Sequence, residues 1–310
     1  MENPCVAYCE ELISLASERE DIVLVTADSA DPLALTPFRE RYPERFFDMG
    51  IAEQAMTNVA GGLASVGFTP FVSAFAMFQA LRACDNVRNG IAYPGLNVKL
   101  VSANIGLNVG KNGVTHHALE DLAIMRTIPS MTVVSPADAR ATRRLVREAA
   151  STPGPVYMRI DKCPTPIVYG SSEMLQIGKG HLLKDGRDVV IFATGATVHL
   201  AIQAAELLRG SGIEAAVVDI HTIKPLDDAL IIHMAAGTRA VVTVEQHSII
   251  GGLGGAVSEL LGGHLPTPVE RVGVRDVFTE SGSPVELNEK YGISVSGVVN
   301  AVHNVLRLKR

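Results

Sequence analysis

Short apolar runs alternate along this chain with longer segments of helical periodicity. Residues 22–27, 98–103 and 132–135 have the apolar character of strands, whereas residues 52–65 and 139–150 have the spacing of amphipathic helices. This alternation is typical of α/β proteins, in which buried strands are joined by helices. The sequence therefore predicts an α/β fold with a mainly parallel sheet flanked by helices.

A change of composition after residue 163 predicts two domains. The stretch that follows is rich in proline, glycine and serine, and it lacks a sustained strand or helix period. The alternation of strands and helices resumes at residue 189. We therefore assign residues 1–165 to a first domain, 166–187 to a linker and 188–310 to a second, independent α/β domain.

Composition and charge exclude several classes of function. The net charge is −6 with scattered basic residues, so no concentrated positive surface is offered to nucleic acid or to a membrane. No apolar run approaches the roughly 20 residues that span a bilayer, and the amino terminus lacks a signal pattern. The four cysteines, Cys5, Cys9, Cys84 and Cys163, form no CxxC or Cys/His cluster. We expect a cytoplasmic protein without a metal site of its own.

The run DMGIAEQAM at residues 48–56 contains the most informative carboxylate of the chain, Glu53. A glutamate near the start of a helix is favoured by the helix dipole alone, so the residue by itself is ambiguous. Together with the Gly61-Gly62 segment, however, the run resembles the pyrimidine-binding domain of the transketolase family, whose members use thiamine diphosphate. The resemblance implies that Glu53 binds the cofactor and is catalytic, since it activates the aminopyrimidine ring.

The segment FVSAFAMF at residues 71–78 places Phe75 and Phe78 three residues apart, on the same side of a helix or turn. Such a pair is commonly part of a core. In the transketolase family the matching aromatic residues stack on the aminopyrimidine ring. A third aromatic that is frequent in the family is replaced here by Leu81. By this resemblance the cofactor-binding residues are Asp28, Glu53, Phe75, Phe78 and Leu81.

The segment at residues 110–123 begins with a glycine-containing loop, which is followed by Thr115-His116-His117. A lone histidine is more often structural than catalytic, but this one resembles the active-site histidine of transketolases and deoxyxylulose-phosphate synthases. An imidazole that titrates near neutrality can donate a hydrogen bond to a carbonyl oxygen and relay protons. We assign this catalytic role to His116, and His117 is the less favoured alternative.

Four positions concern the substrate by the same resemblance. Arg159 matches the sugar-phosphate arginine of transketolases, and a guanidinium binds an anion through paired hydrogen bonds; a surface arginine at a strand end is the alternative. Asn104 replaces a phosphate-contacting histidine, and Asn112 replaces an aspartate that binds a substrate hydroxyl. A further arginine is replaced near Cys5. We expect Asn104, Asn112, His116 and Arg159 to bind a non-standard ketose.

The second half contains three further segments of family character, at residues 219–227, 244–248 and 251–255. They resemble the C-terminal domain shared by transketolases, deoxyxylulose-phosphate synthases and the beta subunits of 2-oxoacid dehydrogenases. The glycine run at 251–255 precedes a predicted helix. It either binds an anion at the helix N-terminus or allows close packing of the helix, and we favour packing.

No Gly-Asp-Gly motif occurs in this sequence. In the transketolase family this motif lies in a separate domain that binds the diphosphate through Mg²⁺. The resemblance therefore implies the C-terminal, beta-type subunit of a split transketolase. We expect an N-terminal partner subunit to ligate the Mg²⁺ in an α2β2 assembly, and the isolated chain to be inactive.

The expected reaction is transfer of a two-carbon ketol unit from a ketose to an aldehyde. One alternative is a subunit that decarboxylates 2-oxoacids, of the dehydrogenase E1 beta or deoxyxylulose-phosphate synthase type. Another alternative is a non-catalytic scaffold of the same fold. The joint presence of Glu53, Phe75, Phe78 and His116 argues against the scaffold, which needs none of them.

Overall fold

The chain folds into two α/β sheets flanked by helices, as a computed structural model that describes residues 1–170 and 173–309 shows. Ser171, Ser172 and Arg310 lie outside the described residues, and the first two belong to the predicted linker. None of the described helices is both long and apolar enough to cross a membrane. The predicted fold class is confirmed.

The first half contributes six strands and six α-helices among the described residues. They are α1 (Pro4–Glu18), β1 (Ile22–Thr26), α2 (Thr36–Arg41), β2 (Phe46–Asp48), α3 (Glu53–Ser65), β3 (Thr69–Phe75), α4 (Cys84–Val87), β4 (Lys99–Ala103), α5 (Asp121–Thr127), β5 (Thr132–Val134), α6 (Ala139–Ser151) and β6 (Val156–Arg159).

The second half contributes the remaining elements. They are β7 (His181–Lys184), β8 (Val189–Ala193), α7 (Val198–Gly210), β9 (Ala215–Asp219), β10 (Thr222–Lys224), α8 (Asp228–Thr238), β11 (Val241–Ser248), α9 (Leu253–His264), β12 (Val269–Val274), α10 (Pro284–Lys290) and α11 (Val295–Leu308).

The first sheet has seven strands in the order β10-β5-β6-β4-β3-β1-β2, and β10 alone among them is antiparallel to its neighbour. Strands β1 and β4 are buried along their whole length, which explains their continuous apolar runs in the sequence. Because the other six strands are parallel, their carboxyl ends lie along one edge of the sheet. Ligand sites of α/β proteins form at such an edge.

The second sheet has five strands in the order β12-β11-β8-β9-β7. Strand β7 pairs antiparallel with β9, so the second unit has begun by His181 and the predicted linker of residues 166–187 is too long. The sequence signal was weak because β7 is a half-exposed edge strand of four residues, HLLK, without clear alternation.

The two halves are not independent, which corrects the sequence-based prediction. Strand β10 follows β9 of the second sheet but pairs with β5 of the first. The Lys224 ammonium at its end donates to the carbonyl oxygens of Arg126 and Ile128, at 2.9 and 2.6 Å, where α5 ends. The two halves are therefore joined by β10, which belongs to the second half but pairs in the first sheet, and by the Lys224 cation at the C-terminus of α5.

A buried carboxyl also links the segment after β6 to the second sheet. The Tyr169 hydroxyl donates to Asp219 Oδ2 at 2.5 Å, and the Asp219 side chain is fully buried at the end of β9. Burial raises the pKa of Asp219 from 3.8 to about 8, although the hydrogen bond from Tyr169 opposes the shift. The folded chain therefore keeps Asp219 protonated at neutral pH.

This raised pKa predicts a pH dependence of stability. Between pH 3.8, where Asp219 titrates when unfolded, and about pH 8 the folded state holds a proton that the unfolded state has released. The free energy of unfolding should therefore fall as the pH rises through this window. In urea unfolding at a series of pH values, Asp219→Asn should lose less stability than the wild type between about pH 5 and about pH 8. The exposed Asp185→Asn serves as control, and equal pH slopes for the wild type and Asp219→Asn would contradict the prediction.

Candidate active site

The carboxyl edge of the first sheet gathers most of the predicted site residues. Strand β2 ends at Asp48 shortly before Glu53, β3 ends at Phe75, and β4 is followed at once by Asn104. Phe75 and Ala103 are direct partners in the parallel pair of β3 and β4. The topology thus brings together residues that are about fifty positions apart in sequence.

Glu53 is the first residue of α3 and is held there by the turn that precedes it. Asp48 Oδ1 accepts hydrogen bonds from the backbone N–H groups of Asp28 and Gly50, both at 2.9 Å. Gly50 has a φ of 64°, which favours glycine. The Glu53 side chain is 4% exposed, so a carboxylate is buried at the edge of the sheet. Asp28, two residues after the end of β1, is exposed.

Phe75, Phe78 and His116 form one aromatic cluster. The two phenyl rings are stacked, with centroids 6.1 Å apart and an interplanar angle of 23°. The imidazole of His116 lies edge-on to both, with centroid distances of 6.1 Å to Phe75 and 5.2 Å to Phe78. The sequence predicted one helix or turn for both phenylalanines. The structure differs, because Phe75 ends strand β3 and Phe78 begins a π-helical turn, Phe78–Arg82.

Arg82 joins this cluster to Glu53 and was missed from the sequence. Its Nη1 donates to Glu53 Oε2 at 2.8 Å, and its guanidinium carbon lies 4.4 Å from the centroid of the Phe78 ring. Arg82 follows Phe78 by four residues, a spacing that places two side chains on one face of a helical turn. This spacing between a cation and an aromatic residue is the sequence signal from which the contact between Arg82 and Phe78 could have been predicted. Leu81, in the same turn, is 40% exposed.

His117 has a structural position, unlike its neighbour His116. It is 2% exposed; its Nε2 donates to the Gly110 carbonyl oxygen at 2.9 Å, and its Nδ1 accepts from the Thr279 hydroxyl at 2.7 Å. Burial lowers the pKa of His117, which favours this neutral form. The ring thus fixes the loop that carries His116 and ties it to a segment of the second half.

His116 is half-buried and lies in reach of the aromatic cluster. Its Nδ1 is 2.9 Å from the hydroxyl of Thr115. Asn104 is 2% exposed with a φ of 56°, and its Oδ1 has no hydrogen-bond partner within the described ranges. Asn112 is exposed at the end of a 3-10 helix, Gly106–Asn112. The structure therefore places one asparagine inside the sheet edge and the other at the surface.

Arg159 is buried and makes most of its hydrogen bonds inside the protein. The residue is 2% exposed; its Nε donates to Asp121 Oδ2 at 2.7 Å, and its Nη2 donates to the carbonyl oxygens of Ala118 and Gln246. Tyr157 donates to the same Asp121 oxygen at 2.8 Å. Three of the five N–H donors of Arg159 are thus used inside the protein, whereas Nη1 has no hydrogen-bond partner among the described residues. We infer a structural role for Arg159, and its substrate role stays a prediction.

Comparison with known families agrees with this geometry. Residues 6–166 match the transketolase pyrimidine binding domain, and residues 178–298 match the transketolase C-terminal domain. The chain belongs to the transketolase family.

Two relatives that match this transketolase chain along almost its whole length are named as a section and as a subunit of a transketolase. A putative transketolase C-terminal section of Methanocaldococcus jannaschii is 43% identical and covers 95% of this chain, which in turn covers 93% of that protein. The 6-deoxy-6-sulfo-D-fructose transketolase subunit SqwH of Clostridium sp. (strain MSTE9) is 41% identical, and the match covers 97% of this chain and 94% of that protein. The chain is thus a C-terminal section of a split transketolase, as predicted.

A solved structure supports the same assignment. It is described as a split gene transketolase in an inactive beta4 tetramer, and it superposes on this transketolase chain with a TM-score of 0.94. The sequence identity is 45%, and each chain is covered in full, 100%. The agreement therefore extends over both halves of the chain.

The residues at the sheet edge fit the aminopyrimidine ring of thiamine diphosphate, the cofactor that the transketolase family implies. Phe75 and Phe78 offer half-buried apolar faces on which a flat ring can stack. The buried carboxylate of Glu53 is hydrogen-bonded to a partly exposed guanidinium beside them, so an acceptor for a ring nitrogen is present. The individual roles of these residues remain predictions.

The glycine run of the transketolase C-terminal half contacts a carboxylate of the same chain, Glu245. The backbone N–H groups of Leu253 and Gly254 donate to the Glu245 carboxylate, both at 2.7 Å. A Cβ at Gly252 would lie 2.0 Å from Glu245 Oε2. Anion binding and close packing therefore coincide, because the anion at the N-terminus of α9 is a side chain of the same protein.

Proposed function

We propose that this chain is the pyrimidine-binding subunit of a two-chain transketolase. An N-terminal subunit would hold the diphosphate through Mg²⁺, in a cytoplasmic α2β2 assembly. The observation that supports the proposal most is the arrangement of Glu53 beside the stacked rings of Phe75 and Phe78, with His116 edge-on to both. Such a set of groups serves no purpose in a scaffold.

Each residue of the cluster has a distinct task in this mechanism. When bound, thiamine diphosphate supplies the carbon nucleophile that breaks and forms a carbon–carbon bond beside a carbonyl. Glu53 would exchange a proton with a ring nitrogen, and its burial would strengthen this hydrogen bond because the local dielectric is low. Phe75 and Phe78 would hold the ring and exclude water.

His116 would act on the substrate rather than on the cofactor. The contact between its Nδ1 and the Thr115 hydroxyl fixes the orientation of the imidazole, so that Nε2 exchanges the proton with the substrate carbonyl oxygen. His117 and Thr279 act indirectly, since they fix the loop on which His116 lies.

The substrates we propose are ketoses with a terminal anionic group. Asn104 and Asn112 are neutral, and Arg159 is engaged inside the protein, so the site differs from one built for a common sugar phosphate. Lys111, next to Asn112 in the sequence, is an exposed cation of the same loop. By name, one similar subunit acts on a sulfonated fructose, which is also an anionic ketose.

The proposal predicts a specific substrate pattern for the chain co-expressed with a diphosphate-binding partner. Ketol transfer to an aldehyde should be measured with sulfofructose, apulose 4-phosphate, xylulose 5-phosphate and the neutral ketose erythrulose as donors, and with pyruvate. An anionic ketose should exceed erythrulose in kcat/KM by about tenfold or more, because one charged hydrogen bond contributes about 1.5–3 kcal/mol.

Three outcomes would contradict parts of this proposal. Release of CO₂ from pyruvate as the fastest reaction would favour the 2-oxoacid alternative. Efficient use of xylulose 5-phosphate above all other donors would exclude a non-standard substrate. Full activity of the isolated chain would exclude the partner subunit, and we expect instead that the isolated chain is inactive.

A further inference from the structure

Arg82 contacts two of the three groups to which the proposed function assigns the aminopyrimidine ring, Glu53 and Phe78. Its guanidinium donates to Glu53 Oε2 at 2.8 Å and lies 4.4 Å from the centroid of the Phe78 ring. Glu53 and Phe78 belong to different elements, α3 and the π-helical turn Phe78–Arg82. One planar, hydrogen-bonding group therefore already bridges the carboxylate and the aromatic face.

We propose that Arg82 competes with the aminopyrimidine ring for Glu53 and Phe78, so that cofactor capture requires displacement of its guanidinium. This inference rests on the proposed function, since it takes from there the two contacts of the ring. It goes further in assigning a role to a residue that neither the sequence motifs nor the resemblance points to.

The surroundings of Phe78 leave little choice for a second stacked group. Phe75 is stacked against Phe78 with centroids 6.1 Å apart, and the imidazole of His116 meets it edge-on at 5.2 Å. The guanidinium of Arg82 takes a further place on the ring. A flat ligand that stacks on Phe78 and also bonds to the Glu53 carboxylate would therefore compete with this guanidinium for both contacts.

Arg82 can leave this place without disturbing the core. Its side chain is 46% exposed, whereas that of Glu53 is 4% exposed, so the guanidinium reaches the buried carboxylate from the solvent side. Ion pairs with one exposed partner are weak and screened by salt. The pair is thus strong enough to neutralise a buried carboxylate in the free subunit and weak enough to yield to the cofactor.

The test is the affinity for thiamine diphosphate, measured by titration calorimetry with Mg²⁺ on the chain co-expressed with its diphosphate-binding partner. Arg82→Met keeps an apolar stem over Phe78 but removes the charge and the donor. We expect it to bind the cofactor roughly three- to tenfold more tightly than the wild type, in proportion to the weak ion pair that is removed. Arg88→Met, on the next exposed helical turn, is the matched control and should bind like the wild type.

A double-mutant cycle, measured by thermal unfolding of the cofactor-free chain, tests the contact between Arg82 and Glu53 independently of cofactor binding. Arg82→Met should lower the melting temperature more in the wild-type background than in a Glu53→Gln background, because glutamine keeps only a neutral hydrogen bond to Arg82 and no ion pair. If the melting temperature falls equally in both backgrounds, Arg82 acts through other contacts and the proposal is wrong.

The outcomes separate this inference from the proposed function. Wild-type complex that binds thiamine diphosphate, together with an Arg82→Met variant that binds it equally or more weakly, overturns the competition alone. A wild-type complex that binds no thiamine diphosphate overturns both. Tighter binding by Arg82→Met, with the control unchanged and the unfolding effect reduced by Glu53→Gln, supports both.

Discussion

Replacing Glu53 by glutamine should reduce ketol transfer by the assembled enzyme by about 10²–10⁴-fold, the usual range for loss of a general acid–base group. Glutamine has nearly the same shape and can still accept a hydrogen bond from Arg82, but it cannot exchange a proton with a ring nitrogen. The fold should therefore persist while the chemistry is lost. The measurement is kcat with saturating cofactor and donor, together with urea unfolding of the same variant.

The neighbouring residue Gln54 provides the control for this experiment. It lies on the same first turn of α3 but is exposed, so Gln54→Ala should keep both turnover and stability. Turnover of Glu53→Gln at the wild-type level would contradict the catalytic role and favour the scaffold alternative. Loss of turnover with intact unfolding behaviour would exclude that alternative.

Local sequence patterns predicted the parts of this fold that depend on local interactions. The buried strands β1 and β4 and the helices α3 and α6 lie within one or two residues of their predicted bounds, since their periodicity is set by the faces that they bury. Edge strand β7 was missed because half-exposed residues show no such period. Strand β10 was missed because its pairing with β5 joins residues about ninety positions apart.

The candidate site shows the same division. Glu53, Phe75, Phe78 and His116 could be proposed from motifs, and the parallel sheet brings them together. Arg82 was not found because its role depends on contacts with two elements rather than on its neighbours in sequence. A motif thus identifies which residues belong to the site, but their hydrogen bonds and ion pairs depend on contacts between elements that are distant in sequence.

Arg159 is the clearest example of this limit. It ends a strand, as predicted, and a strand end in a parallel sheet is a reasonable place for a substrate-binding cation. Its actual partners are Asp121 and the Gln246 carbonyl, 38 and 87 residues away in sequence. These partners lie at the start of α5 and within β11, and the local sequence pattern does not place those elements next to Arg159. The residue therefore joins the first sheet to α5 and to the second half.

Replacing Arg159 by methionine should lower the free energy of unfolding by about 3–5 kcal/mol, the usual effect of removing one partner of a buried ion pair. Asp121 is fully buried, and its Oδ1 has no hydrogen-bond partner among the described residues. Without Arg159 this carboxylate would lose its counter-charge. Urea unfolding measures the effect, and Arg187→Met, which breaks an exposed pair with Glu214, should change stability by about 1 kcal/mol or less.

The double variant Arg159→Met/Asp121→Asn distinguishes a buried pair from a substrate contact. Since asparagine carries no charge, it should recover a large part of the stability that Arg159→Met loses, because an apolar or neutral replacement of both partners is far less unfavourable than an orphaned charge. A substrate-binding arginine would behave differently. Its loss would raise KM for an anionic ketose while the unfolding free energy stayed unchanged, and Asp121→Asn would restore nothing. If Arg159→Met leaves the stability unchanged and raises KM, Arg159 belongs to the substrate site. If Arg159→Met lowers the stability and the double variant recovers it, Arg159 is a buried link between the His116 loop, the first sheet and the second half of the chain.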